Sequence, residues 1–485
     1  MKKSGSRKAE CGSEERRKSE GEIAAMDERI KRFLVEIVGE KGVSDSLMDL
    51  VSYSYDFSGN RCRPEGAVWP RTTEEVSAIL RLTSREGVPV VPRGAGTGAT
   101  GMVIPSAGGL VMDLLRMNRI LEICIPDRVA VVQPGVVHAD LQAALAPHGF
   151  FFPPDPASGN AATLGGNVAT NAGGLKGAKY GTTRDYVMAL EVVLPDGRGL
   201  RTGSRCMKSV SGYDMTRLFV GSEGTLGVIT EITLKINPRP TAVATSLACF
   251  RTLVEAGEAV SQIMRAGIVP SVCELLDRHI ISLLIEEAGL DLPRADALLL
   301  VETDGFTREE SGFQMEKVME VFRANNATEI RRAVTSEDAV ALWKGRKSMG
   351  SLIAGMSPDF HVEDITVPMS RIAELLEGIG RIEEKHGMKI PTAGHAGDGN
   401  LHPHFLFDAA DKEEEAIVEK AKAELFQLAV SLGGTLSGEH GIGITKADFM
   451  GLEHSPVAME MMAGIKRLFD PRNLLNPGKM GLAVR

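Results

Sequence analysis

The stretch Pro92-Arg93-Gly94-Ala95-Gly96-Thr97-Gly98-Ala99-Thr100-Gly101 packs four glycines into ten residues directly after the apolar run at 88–91. Successive glycines let backbone N–H groups converge on an anion without interference from Cβ atoms, a nest suited to a pyrophosphate. Upstream, Thr72-Thr73-Glu74-Glu75 opens a helix with acidic residues at the positive end of its dipole, and Gly87 separates it from the strand. A Rossmann domain would need a second helix straight after the glycine turn and an acidic residue about 20 positions on. Residues 103–114, VIPSAGGLVMDL, instead read as loop and strand, which disfavours that fold.

Glycines recur in LGGNVATNAGG (164–174) and GSEGTLGVIT (221–230), between strand-like runs such as RVAVVQPGV, ALEVVLPDG and ITEITLKINP. Several such loops in one region suggest a long cofactor threaded through a single domain. Glycine density drops after Pro240, and amphipathic helices and strands follow, among them SLACFRTLVEAGEAVSQIM and DALLLVETDG. The expected division is a disordered tail over 1–25, a cofactor domain over 26–240, a second α+β domain over 241–445 and a terminal segment over 446–485. That last segment ends in a helix and the punctuated DPRNLLNPGK.

A chain of 485 residues has room for two to three cores, and 43% hydrophobic content fills them. Net charge is −9 and aromatic content 5%, which argues against nucleic acid as a partner. The six cysteines form no CxxC pair, which argues against a zinc knuckle, an iron–sulfur cluster or a disulfide framework and fits a reduced, cytoplasmic setting. The N-terminal residues lack the apolar run of a signal peptide, and no stretch is long and apolar enough to span a membrane, which leaves peripheral docking through a partner open.

Chemistry concentrates further on, in GHAGDGNLHPH (394–404) and SGEHGIG (437–443). Asp398-Gly399 is a signal for a two-residue type I′ hairpin turn, which would set His395 directly opposite His402. Directly opposed Cβ atoms lie roughly 4.5–5.5 Å apart, close enough for two imidazoles to share a divalent ion. Strand alternation aims His404 at the same face, as a further ligand or a supporting group. Glu439 could complete a set of two histidines and one carboxylate with positions left open for substrate. A lone histidine is more often a satisfied core or surface residue, so the pairing rather than any single residue carries this reading.

With these motifs in hand, the chain resembles a known family over nearly all its length beyond the tail. PRGAGTGATG, TLGGNVATNAGG and GSEGTLGVITEITLKI are similar to the FAD-binding elements of the vanillyl-alcohol-oxidase-type fold. GHAGDGNLHPH, SGEHGIG and LLNPGK resemble the branch holding D-lactate dehydrogenases, D-2-hydroxyglutarate dehydrogenases and the FAD subunit of glycolate oxidase. The resemblance implies a two-part FAD-binding domain, a substrate-binding cap domain and a short C-terminal helical segment.

It also implies roles. FAD's pyrophosphate would rest on Arg93, Gly94, Ala95, Gly96, Thr97 and Gly98. Further contacts would come from Pro156, Thr163, Gly166, Asn167, Gly173, Gly174, Tyr180, Gly181, Glu223, Gly224 and Ile229, with Asn476 bordering the flavin. The loop carries no histidine, so the flavin is expected to be noncovalent. His395, His402 and Glu439 would bind zinc, manganese or iron, and His440 would be the base. Arg346, in Trp343-Lys344-Gly345-Arg346, would clamp the substrate carboxylate; its planar fork suits that task.

Gly350 and Val362 stand where the 2-hydroxyglutarate branch has a threonine and a lysine, which favours a small monocarboxylate such as D-lactate or glycolate. Electrons would leave to an electron-transfer flavoprotein, an iron–sulfur subunit or a quinone. The competing readings are D-2-hydroxyglutarate oxidation, a non-redox transferase of the alkylglycerone-phosphate synthase type, and a flavin subunit that only relays electrons.

Overall fold

The computed structural model describes residues 26–482, so the expected disordered tail lies outside the described residues. The chain enters through the helix Glu28–Val38, capped by the Asp27 carboxylate on Arg29 N–H at 2.7 Å and burying Ile30 and Leu34 one turn apart. The helix predicted after Thr72 runs Thr73–Glu86. Thr72 caps it, Gly87 stops it at φ +73°, and Val76, Ile79, Leu80 and Thr83 form its buried stripe.

That helix feeds the strand Val90–Arg93, two residues later than its apolar run suggests. The strand pairs in parallel with Leu110–Asp113 in a four-stranded sheet completed by Gly66–Val68 and Val43–Ser44. No helix separates the two parallel strands, in agreement with the reading against a Rossmann turn. A second, five-stranded antiparallel sheet runs in the order Ile120–Cys124, Val129–Val132, Val228–Lys235, Val187–Val193, Gly199–Gly203.

The third sheet is eight-stranded. Its central strand Val272–Asp277 is buried along its whole length between Ala297–Gly305 and Thr392–His395, and Asn400–Phe407 follows. Leu253–Arg265, Arg308–Ala324, Ile372–His386 and Lys412–Ser431 bury their apolar faces in one core of this region. Arg278–Glu286 and Ser336–Ala354 contribute to a separate core.

The C-terminal helix Pro456–Phe469 returns to the first two sheets, where Phe469 meets Phe219 edge-on at 5.5 Å. Beyond it, Val90 N–H donates to Leu474 and Asn476 N–H donates to Val90, fastening the end of the chain beside the glycine loop. Among the described residues no helix is long and apolar enough to cross a membrane.

Candidate active site

A cavity of about 1480 Å³ runs between the glycine loops and the edge of the third sheet. This exceeds the roughly 300–1,000 Å³ of an ordinary small-molecule pocket, as an extended dinucleotide requires. Arg93, Gly94, Ala95, Gly96, Thr97, Gly98, Pro156, Thr163, Gly166, Asn167, Glu223, Gly224 and Ile229 all line it.

Two glycines of the loop are sterically required. Gly96 sits at φ +71°, and a Cβ at Gly94 would come within 2.3 Å of the Thr163 hydroxyl. Asn167 Nδ2 is buried with no hydrogen-bond partner among the described residues, the state of a donor shaped for a ligand. These features fit FAD.

The other expected flavin contacts stand outside the cavity lining, each for a local reason. Gly174 crosses the backbone of Asp155, where a Cβ would approach the carbonyl oxygen to 2.0 Å, and Gly173 abuts Glu439. Gly181 ends the short helix Gly177–Tyr180, and the Tyr180 hydroxyl donates to Asp304 at 2.7 Å, bridging to the third sheet. Asn476 braces the cavity wall from behind, its Nδ2 donating to the carbonyls of Met102 and Glu223.

The histidine hairpin forms with a register different from the expected one. His395 pairs with Asn400, and His402 pairs with Ala393, across the four-residue loop Ala396-Gly397-Asp398-Gly399. A type I′ turn needs positive φ at both central residues, and of Asp398 and Gly399 only the glycine adopts it, at +85°. The wider loop is held from outside, by Gly397 N–H on the Cys273 carbonyl and by Val367 N–H on Gly399.

The two histidines are therefore diagonal rather than opposed, but their long side chains still converge, with ring centroids 5.1 Å apart. His395 Nε2 and His402 Nε2 lie 3.3 and 3.4 Å from the same oxygen of Glu439. Ligand atoms held about 2.0–2.1 Å from one ion at tetrahedral angles stand roughly 3.3–3.4 Å apart, so this trio has the spacing a divalent ion needs. Asp364, His402 and His440 form a second such group around the same imidazole. His404 turns its Nδ1 to the Pro391 carbonyl at 3.0 Å, and burial depresses its pKa to about 4, making it a neutral neighbour.

The loop 437–443 is fixed by two carboxylates that sequence reading missed in this role. Asp364 accepts the Ser437 hydroxyl at 2.5 Å and the N–H groups of Glu439 at 3.0 Å and His440 at 2.8 Å. Glu223, at φ +53° on the flavin side, accepts the N–H groups of Ile442 at 2.6 Å and Gly443 at 2.8 Å.

His440 stacks on His402 at 5.0 Å, and its Nδ1 has no hydrogen-bond partner among the described residues. Burial outweighs the nearby Asp364 and lowers its pKa, keeping the imidazole neutral. Burial likewise works against the Glu439 carboxylate, but the hydrogen bonds from His395 and His402 overcome it and hold the group ionised.

A third missed carboxylate is Glu274, in the middle of the buried strand Val272–Asp277. It pairs with His395 Nδ1 and with Arg346 Nε, both at 2.5 Å. A glutamate inside the apolar run SVCELLD was the one signal available for it. Arg346 lines the cavity with Trp343, Met349 and Gly350 of its helix and with Phe360 and Val362 of the strand Asp359–Val362. Among the described residues the lining carries two guanidinium groups, Arg93 and Arg346, and no lysine.

Comparison with known proteins agrees with this architecture. Residues 64–203 match the FAD binding domain family, and residues 239–480 match the C-terminal domain of FAD linked oxidases. Glycolate oxidase subunit GlcD of Bacillus subtilis (strain 168) is 44% identical over 93% of this chain and 96% of its own length. The chain belongs to the FAD-linked oxidase family.

A D-lactate dehydrogenase of Anaerostipes hadrus is 36% identical to this FAD-linked oxidase over 87% of the chain and 90% of its own length. Among solved structures, p-cresol methylhydroxylase with substrate bound superposes with a TM-score of 0.79 at 18% identity, covering 94% of this chain and 96% of that one. The FAD-linked oxidase thus has the vanillyl-alcohol-oxidase-type fold, with mixed helix and sheet in both parts.

Proposed function

We propose that the protein oxidises a small D-2-hydroxy acid, D-lactate or glycolate being favoured, to the 2-oxo acid and hands the electrons to an external acceptor. The observation that carries this reading is the single cavity joining the glycine loop at 93–98 to Arg346, His395, His402, Glu439 and His440. When bound, noncovalent FAD supplies the acceptor for the Cα hydride, and a zinc, manganese or iron ion supplies the charge that acidifies the substrate hydroxyl.

The backbone of the glycine loop would hold the FAD pyrophosphate, and His395, His402 and Glu439 would hold the ion. Arg346 has Nε committed to Glu274, which leaves its terminal nitrogens as the fork for the substrate carboxylate. His440, buried, neutral and lining the cavity, takes the hydroxyl proton on its imidazole. The apolar side chains of Met349, Phe360 and Val362 border the cavity near Arg346 and offer no partner to a second carboxylate or a phosphate. This favours a monocarboxylate over 2-hydroxyglutarate and over a phosphorylated transferase substrate.

The names of the relatives, a glycolate oxidase subunit and D-lactate dehydrogenases, support the reading. So does the term subunit, which fits an electron-transfer flavoprotein, an iron–sulfur subunit or a membrane quinone as acceptor. The test is anaerobic addition of D-lactate and of glycolate to the FAD-loaded protein. Either acid should bleach the flavin's visible absorbance within turnover time; a flavin left oxidised by every 2-hydroxy acid offered would end this assignment.

A further inference from the structure

Glu274 is 0% exposed, and both of its carboxylate oxygens are committed, Oε1 to His395 Nδ1 and Oε2 to Arg346 Nε. The first contact is dictated by the sheet, because Glu274 and His395 are direct cross-strand partners in the pairing of Val272–Asp277 with Thr392–His395. The second reaches across to the helix Ser336–Ala354.

Stability alone does not call for this arrangement. Flanking residues Val272, Leu275 and Leu276 are buried. A cavity of about 360 Å³ lined by Leu247, Leu276, Leu284, Leu298 and Leu300 shares Glu274 and Arg346 in its wall. In such surroundings well-packed apolar residues in place of the whole Glu274, His395 and Arg346 set would be no less stable, since a buried ion pair is often no more stabilising than hydrophobic residues of similar volume. What the carboxylate adds is geometry. An ionised carboxylate can only accept, so His395 donates from Nδ1 to Glu274, which leaves Nε2, the atom facing Glu439, as the one that would bind an ion. The same carboxylate holds the inner edge of the Arg346 guanidinium.

We propose that Glu274 is the positioning residue that fixes the acid-binding arginine and the ion-binding histidine relative to each other, one buried side chain aligning both halves of the site. The inference rests on the function proposed above, and it makes one prediction that a purely structural role does not. A single isosteric change must weaken two separate binding events in protein that is fully folded and flavin-loaded.

The experiment compares wild type, Glu274→Gln and Glu274→Asp, each with its FAD content and Tm measured first. Zn2+ affinity is read by competition against a chromophoric chelator, without substrate. KM and kcat for D-lactate come from anaerobic flavin reduction and turnover with a dye acceptor. Glu274→Gln should keep its FAD, bind Zn2+ about 10–100-fold more weakly and raise KM by about tenfold or more. Glu274→Asp, one methylene shorter but still anionic, should recover part of the Zn2+ affinity because it keeps the anion directly across the strand pair from His395.

If Glu274→Gln lowers Tm but leaves Zn2+ affinity and KM at wild-type values, Glu274 is structural only and the proposal is wrong. If wild type itself neither binds Zn2+ nor is reduced by any 2-hydroxy acid, the underlying functional reading fails instead.

Discussion

Asp364 accepts the backbone N–H of His440 at 2.8 Å, so the candidate base is held through its main chain by a carboxylate on a different segment of the cap sheet's edge. The same oxygen takes the N–H of Glu439. Burial opposes the charge, but the Lys446 ammonium at 3.9 Å and the hydrogen bonds from Ser437, Glu439 and His440 outweigh it and keep the Asp364 carboxyl well below its usual range. Asp364→Asn removes that charge while preserving shape. Each charge-assisted hydrogen bond lost costs about 1.5–3 kcal/mol, so the rate of flavin reduction should fall by about 10–100-fold with FAD content unchanged. Stopped-flow reduction by D-lactate checks this, and a wild-type rate would show that the loop holds its shape without the anion.

His440→Asn removes the neutral imidazole and little else. Positioned general bases contribute about 10²–10⁴-fold, so flavin reduction should slow by that factor. The apparent affinity for the acid should stay nearly constant, since Arg346 and the ion-binding trio are untouched. A variant that loses binding and keeps its rate would move the base elsewhere.

Metal removal separates the ion's role from the flavin's. Dialysis against a strong chelator should abolish reduction by D-lactate while the flavin remains bound, and added Zn2+ or Mn2+ should restore it. His402→Ala, which removes the imidazole shared by both candidate groups, should not be rescued by either ion. Full activity after verified metal loss would remove the ion from the chemistry.

Val362 lines the cavity and pairs in register with His404. Val362→Lys would place an ammonium where the apolar wall offers nothing to a distal carboxylate. The ratio of kcat/KM for D-2-hydroxyglutarate to that for D-lactate should rise by about tenfold or more, the effect of one charged hydrogen bond. An unchanged ratio would mean that the substrate's far end does not approach this strand.

Asp277 ties the central strand to its neighbours by accepting the N–H of Ile280 at 3.0 Å and that of Thr392 at 2.8 Å. Burial pushes its carboxyl up to about 6. A folded-state pKa above the unfolded one means that the native chain binds the proton more tightly. The group's contribution is therefore best below about pH 4 and declines as pH rises through about 6. Asp277→Asn does not titrate, so its stability relative to wild type should improve by about 2 kcal/mol between about pH 4 and pH 7. Urea midpoints at the two pH values measure this; a difference independent of pH contradicts it.

What was legible in the sequence was local. The glycine loop, the capped helix before it and the missing helix after it are written in consecutive residues, and they fold as read. The hairpin was half legible. Its two strands form, but the turn's length is set by contacts from Cys273 and Val367, which no preference of Asp-Gly can report. Glu274 and Asp364 were illegible in their roles because their partners are remote, His395 lying 121 residues from Glu274 and Glu439 lying 75 from Asp364. Nothing in either neighbourhood says which strand will come to rest beside it.

The loop 437–443 is gripped from both sides, by Asp364 on the cap and by Glu223 at the flavin cavity. It sits as a keystone, its two ends anchored in different halves of the molecule. Chimeras that trade the cap of one such protein for that of another to change substrate must therefore match this seam first. A graft joined on the wrong side of residue 437 would bring in a new pocket and leave its base without an abutment.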